Sequence, residues 1–231
     1  MYLLECINLE KNFGDKKILK NINLSVEGGR IIGLLGMNGT GKSTLIKLIN
    51  GLLTPTAGKI LINGEEIGEN SKKIIAYLPE RTYLDKSMTV QQVVQLFRDF
   101  YADFDFEKAY RLLRDLDLDP EQRLSHMSKG MQEKVQLVLV MSRRARLYLL
   151  DEPLGGVDPA TRDYILDTIL TNFEEGATVV ISTHLISDIE RILDQVIFLD
   201  RGEIRLVEDT DDLRARENAS VDEIFRRTFK C

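Results

Sequence analysis

Gly36-Met37-Asn38-Gly39-Thr40-Gly41-Lys42-Ser43-Thr44 follows the pattern G-x-x-x-x-G-K-[ST], and its fixed residues each have a chemical task. Glycines let a backbone curl until several N–H groups face one phosphate chain. Lys42 brings a compact cation to the outer phosphates. Ser43 offers a hydroxyl to Mg²⁺, and a helix opening there turns its positive end toward the anion. The flanks suit this reading. Arg30 to Leu35 is a short apolar run of buried-strand type, and Thr44 to Ile49 can continue as a helix. The alternative is a glycine-rich turn that binds nothing.

A second group of polar residues follows Leu147-Tyr148-Leu149-Leu150, where Asp151-Glu152-Pro153 puts two carboxylates at the end of an apolar strand. Open α/β sheets bind ligands at that end of their strands. Asp151 suits a Mg²⁺ ligand, and Glu152 suits a base that orients and deprotonates an attacking water. His184 closes the run Thr178 to Thr183 in the same manner, within reach of a γ-phosphate. An exposed acidic turn and a structural histidine are the plainer readings of these residues.

These residues need elements to hold them. Leu3 to Asn12 and Ile18 to Val26 read as strands, the second closed by Glu27-Gly28-Gly29. Lys59 to Ile62 meets Asn63-Gly64, a hairpin turn, and Ile74 to Leu78 is a strand stopped by Pro79. The middle of the chain is helical. Thr89 with Gln92 forms a capping box for a helix over Val90 to Tyr101. Asp105 caps a second helix through Leu116, and Ser128 caps a third, apolar almost all round, to Met141. The last third alternates strand and helix. Asp158-Pro159 opens a helix to Gly176, Thr178 to Ile181 is a strand, and Leu185 to Leu193 a helix. Val196 to Leu199 and Ile204 to Val207 are strands around the turn Arg201-Gly202. Such alternation predicts a mainly parallel sheet with helices on both faces.

The 231 residues suffice for one large domain or a core with a lobe, and 43% hydrophobic residues can fill it. A net charge of −6 argues against a nucleic-acid-coating surface, so no nucleic acid is expected as a partner. Cys6 and Cys231 lie at opposite ends and read as free thiols in a reducing compartment. The first residues lack a signal-peptide pattern. No apolar run reaches the ~18 residues of a membrane span. The expectation is a soluble, cytoplasmic chain.

The motifs, in this order, resemble those of the ATP-binding subunit of an ATP-binding cassette (ABC) transporter, of the bacterial exporter kind. The similarity runs from about Met1 to Glu208. Gly36 to Thr44 is similar to the Walker A loop and Leu147 to Glu152 to Walker B with its catalytic glutamate. Ser128-Lys129-Gly130-Met131-Gln132 resembles the signature segment. Gly155 to Asp158 resembles the D-loop, and His184 the switch histidine. Phe13 resembles the aromatic residue that stacks on adenine; a buried core phenylalanine is the alternative. The signature differs from the family's Leu-Ser-Gly-Gly-Gln at Met127, Lys129 and Met131, but Ser128 and Gly130 remain to reach a γ-phosphate. Lys129 adds a cation there. Glu80 stands where the family has glutamine and could still face Mg²⁺, and Gly155 stands at the D-loop serine. Asp158 reads equally as a helix cap.

The resemblance implies an α/β fold: a P-loop, RecA-like core with a mainly parallel sheet, an N-terminal antiparallel β part and an inserted helical lobe. The core would span 1–79 and 146–208 and the lobe 80–145; beyond the resemblance, 209–231 reads as a charged turn and an amphipathic C-terminal helix with Val221, Ile224, Phe225 and Phe229 on one face. It implies ATP and Mg²⁺ as cofactors and a head-to-tail dimer, homo- or hetero-, in which one subunit's signature covers the other's ATP. It also implies transmembrane permease subunits as partners, at the cytoplasmic face of the membrane. Tyr83, Met88, Phe97, Phe100, Tyr101, Phe104 and Phe106 either line a groove for such a partner or fill the lobe's own core. Two other readings stay open: a non-transport cassette ATPase acting on ribosomes, DNA or cofactor assembly, and a regulatory module with little turnover.

Overall fold

Antiparallel pairing dominates the start of the chain and parallel pairing the rest. The computed structural model describes residues 2–229, apart from the side chains of Pro159 and Ala160; the reading of Cys231 as a free thiol lies outside these residues. Strands β1 (Leu4–Phe13) and β2 (Lys16–Val26) form a hairpin, β3 (Ile31–Leu35) follows, and helix α1 spans Lys42–Ile49. β4 (Ala57–Ile62) turns through Asn63-Gly64, both at positive φ, into β5 (Glu65–Glu66). A short helix α2 (Glu69–Ile74) leads into β6 (Ile75–Leu78). The lobe helices are α3 (Val90–Phe100), α4 (Phe106–Asp115) and α5 (Lys129–Met141). β7 (Leu147–Asp151), α6 (Pro159–Asn172), β8 (Thr178–Thr183), α7 (Ile186–Ile189), β9 (Gln195–Asp200) and β10 (Glu203–Asp209) then alternate, before α8 (Thr210–Glu217) and α9 (Val221–Phe229).

One sheet has the order β2-β1-β4-β5 and the other β10-β9-β3-β8-β7-β6. In the second, every pairing is parallel except β10 on β9. The period of two along each strand divides its residues between two cores. Leu147 and Leu149 face the cluster that contains α1 and the antiparallel sheet, whereas Tyr148 and Leu150 face the cluster that contains α5 and α6. Helix α1 is therefore held between the two sheets, with Leu45, Ile46, Leu48 and Ile49 all buried.

The lobe helices start where capping chemistry predicts. Thr89 Oγ1 accepts the Gln92 N–H while Gln92 Oε1 accepts the Thr89 N–H. Asp105 and Ser128 accept from Lys108 N–H and Met131 N–H. Elsewhere the elements differ from the sequence expectation. The polar segment before β6 is helical (α2), closed by reciprocal bonds between Ser71 Oγ and the backbone of Gly68. The helix expected over Leu185 to Leu193 is one α-helical turn, α7, followed by a 3-10 turn at Glu190–Ile192. Tertiary bonds hold that turn: Arg214 donates to the Glu190 carbonyl and the Asp222 N–H to its carboxylate. The helix after Asp158 stops at Asn172, whose amide donates back to Thr168 O. The C-terminal segment is two helices rather than one. Asn218 at φ 48° ends α8, and Ser220 and Glu223 bond reciprocally at the start of α9.

Candidate functional site

β3 delivers the glycine loop and α1 receives it. Gly36 has no room for a side chain: a Cβ there would lie 2.5 Å from Leu199 O and 2.7 Å from Thr40 Oγ1. Gly41 caps α1 at φ 112°, a conformation L side chains avoid. Thr40, nearly buried, donates to Met37 O. A helix leaves its first N–H groups without intrahelical acceptors, and Lys42, Ser43 and Thr44 open α1 beside the loop's cavity. The Lys42 side chain is folded back under the loop and only 5% exposed. Its ammonium donates to Gly36 O at 2.7 Å and Met37 O at 3.2 Å, and pairs with Glu152 Oε1 at 3.1 Å.

The carboxyl ends of β7 and β8 bring the remaining groups to this loop. Ser43, 108 residues away in sequence, donates its hydroxyl to Asp151 Oδ1 at 2.9 Å. Ser182 donates to the same oxygen at 2.7 Å. Glu152 holds Lys42 with one carboxylate oxygen and meets His184 Nδ1 at 3.0 Å with the other. The whole chain Lys42–Glu152–His184 and Ser43–Asp151–Ser182 is thus contiguous. Burial raises the Asp151 carboxyl above its ordinary value, opposed by the two hydroxyl bonds, with the Glu80 carboxylate pushing the same way as burial.

Asp151 and Glu80 repel, and Ser43 adds a hydroxyl: hard oxygen donors with surplus negative charge. That donor set fits Mg²⁺, which takes one or two carboxylates and completes its shell with substrate phosphates and water. Among the described residues no cluster of three or more His, Cys, Asp or Glu side chains makes an all-protein metal cage.

A cavity of about 890 Å³ opens over the loop, lined by Asn38, Lys42, Ser43, Glu80, Glu152 and His184 among others. Lys129 also reaches its wall, although it pairs with Glu133 and is 76% exposed. Ser128 and Gly130 are not in that wall. Phe13 is not in it either. It ends β1, half-exposed, with Lys11 Nζ 5.0 Å from its ring centre, and its cross-strand partner Lys16 lines the cavity. Asp158 caps α6 through the Thr161 N–H.

A second cavity of about 800 Å³ lies between the lobe and the core, and Glu80 and Arg81 line both cavities. Its lining includes Leu52, Tyr77, Tyr83, Phe97, Tyr101 and Arg143. Arg143 joins its two sides: the guanidinium bonds Asp103 and the carbonyls of Lys73 and Ile75, and lies 3.9 Å over the Tyr101 ring. Phe97 and Phe104 belong to the buried cluster that also contains α5, α6 and one face of the parallel sheet, Met88, Tyr101 and Phe106 are partly buried against it, and Tyr83 and Phe100 are exposed. Sequence reasoning does not find Lys16, Arg81, Arg143 or Ser182. The available signal for Ser182 was a hydroxyl at the end of an otherwise apolar central strand.

Comparison with known proteins identifies the family. The family model described as ABC transporter matches residues 19–155. The ABC transporter ATP-binding protein YtrB of Bacillus subtilis (strain 168) is 33% identical over 92% of this chain and 74% of its own length. The Nod factor export ATP-binding protein I of Rhizobium sp. (strain N33) is 29% identical over 86% of this chain and 68% of its own. A solved ATP-binding subunit of an ABC transporter superposes with a TM-score of 0.87 at 31% identity, covering 97% of this chain and 98% of that one. The chain belongs to the ABC transporter family, as an ATP-binding subunit that hydrolyses ATP.

Proposed function

We propose that this subunit drives export through separate membrane-spanning chains, and that it does so as a head-to-tail dimer at the cytoplasmic face of the membrane. The observation that carries this reading is the wall of Glu80 and Arg81 common to the nucleotide cavity and the lobe–core groove. A partner segment in the groove touches the same residues that face the phosphates. No helix of the described residues is long and apolar enough to cross a membrane, so the spanning part is assigned to other chains. The export direction rests on the Nod factor export relative. The dimer is supported by Ser128 and Gly130 standing outside the wall of their own chain's phosphate cavity; a second copy would present them to it.

In the proposed reaction Lys42 and the amides at the start of α1 hold the phosphates and stabilise charge developing there. The Lys42–Glu152 pair opens. The freed Glu152 carboxylate takes a proton from the attacking water as its oxygen bonds the γ-phosphorus, and the bond to the β-phosphate oxygen breaks to release ADP. His184 holds the second Glu152 oxygen. Phe13 stacks on the adenine. Ser43, Asp151 and Glu80 would hold Mg²⁺, which supplies charge neutralisation on the phosphates.

The test is capture from detergent-solubilised native membranes with Glu152→Gln, ATP and Mg²⁺. A multi-span membrane protein should come down with the wild-type groove and be lost with Tyr83→Asp, while ATP-dependent dimerisation persists. Recovery of a ribosome, nucleic acid or soluble complex without a membrane protein would sink the transport reading.

A further inference from the structure

Strand β8 is apolar from Val179 to Ile181 and then ends in two hydroxyl residues, Ser182 and Thr183, both with no solvent exposure. A valine would fill such a central-strand position without a polar atom to satisfy, so a buried hydroxyl is explained by its partners. Thr183 closes the turn that follows, accepting the Leu185 N–H at 2.9 Å. Ser182 is bonded into the catalytic pair instead. Its hydroxyl donates to Asp151 Oδ1 at 2.7 Å, and its Oγ accepts the Glu152 N–H at 3.1 Å. The same N–H also points at the Ser182 carbonyl, at 3.1 Å.

Register makes this possible. In the parallel ladder Ser182 is paired with Asp151 on one side and with Leu34 on the other. It therefore lies between the strand that carries the carboxylates and the strand that delivers the phosphate loop. Glu152 needs the support. It sits at φ 51°, in the left-handed region that L side chains avoid. Strain of that kind persists only where surrounding bonds over-determine it. Here the Glu152 N–H is held by Ser182, and the Glu152 carbonyl accepts the Gly155 N–H at 3.0 Å in a tight turn. A Cβ at residue 155 would come within 3.2 Å of that carbonyl.

The two hydroxyls on Asp151 also differ. Ser43 lines the phosphate cavity and has a second task there, whereas Ser182 is enclosed. We infer that Ser182 is a positioning residue for ATP hydrolysis: one hydroxyl fixes the Asp151 carboxylate and the Glu152 backbone relative to each other. The inference rests on the roles proposed above for Asp151 and Glu152. Ser182 does not line the phosphate cavity; it acts through its two neighbours, as residues behind the ligands do at metal sites.

The test compares Ser182→Ala, Ser182→Cys and Ser182→Thr with the wild-type full chain. Readouts are kcat and KM for ATP, thermal unfolding, and Mn²⁺ binding in the presence of ADP followed by electron paramagnetic resonance. Alanine should lower kcat by about 10–100-fold and weaken Mn²⁺ binding by a similar order, and the KM for metal-bound ATP should rise as that metal contact weakens. Cysteine, a weak donor of similar size, should follow alanine. Threonine, which keeps the hydroxyl, should restore both readouts. If threonine fails to fold, the alanine–cysteine pair still decides. Wild-type kcat and Mn²⁺ binding in the alanine variant would overturn the inference. So would a loss that only tracks the unfolded fraction. Glu152→Gln run alongside separates the two levels: if it still hydrolyses ATP, the proposed reaction fails, and if it is inactive while Ser182→Ala is normal, only the role of Ser182 fails.

Discussion

The groups that would hold a phosphate also bond one another, and that has a measurable cost. The Lys42 ammonium has three protons and three acceptors: Gly36 O, Met37 O and Glu152 Oε1. A phosphate can be bonded only if one of these is given up. The Glu152 contact is the one that joins two separate segments, and both side chains are at least nine-tenths buried. A charge-assisted hydrogen bond contributes about 1.5–3 kcal/mol and a neutral one about 0.5–1.5. Glu152→Gln keeps the shape and loses the charge, so it should relieve ~1–1.5 kcal/mol of competition. That corresponds to ADP binding tighter by about 5–10-fold. ADP in the presence of a chelator is the ligand of choice, because it neither hydrolyses nor depends on the metal. The assay is isothermal titration calorimetry on the nucleotide-free chain, paired with its thermal unfolding. Loss of the ion pair should lower the nucleotide-free melting temperature by roughly 2–4 °C for a chain of this size. Unchanged ADP affinity would refute the reasoning. Tighter binding with an unchanged nucleotide-free melting temperature would also refute it, since the gain would then come from relief of repulsion between Glu152 and the phosphates rather than from a broken pair.

Two further outcomes are expected. Burial holds the Asp151 carboxyl above its ordinary value. The folded state therefore keeps a proton that the unfolded chain has already lost, and ionised Asp151 costs stability as the pH rises through its folded value. Asp151→Asn should abolish hydrolysis yet raise the melting temperature at neutral pH, with the gain vanishing below the ordinary carboxylate range; a lower neutral-pH melting temperature would contradict this. Gly36→Ala places a methyl 2.5 Å from Leu199 O. It should cost about 1–3 kcal/mol of stability and most of the ATP affinity, and an unchanged denaturation midpoint would show that the loop tolerates the methyl.

What could be read in the sequence was local. The glycine loop and the capping box of α3 are set by residues within a few positions of each other. The alternation of apolar runs also located β7, β8 and β9 to within a residue or two. What could not be read depends on long-range meetings. Ser43 and Asp151 are far apart in sequence, as are Lys42 and Glu152, and no spacing rule states that they bond. Tertiary bonds to Glu190 break the helix after Leu185, against its local apolar pattern. α2 went unseen because its capping partner is a glycine backbone and its surface is polar. The lobe's aromatics could not be divided between core and surface from spacing alone. Phe97 and Phe100 lie on one helix, and one is buried while the other is 77% exposed.

Glu80 and Arg81 belong to two cavities at once, and this has a thermodynamic consequence. Two ligands that move the same residues are not independent, and coupling between binding sites is reciprocal. Whatever factor a groove occupant imposes on ATP affinity, ATP must impose on that occupant. If the groove holds the proposed partner, the Glu80–Arg81 segment is where its binding and that of ATP would be linked, with one coupling free energy common to both. A substitution there should change by the same factor the effect that each ligand has on the other's affinity.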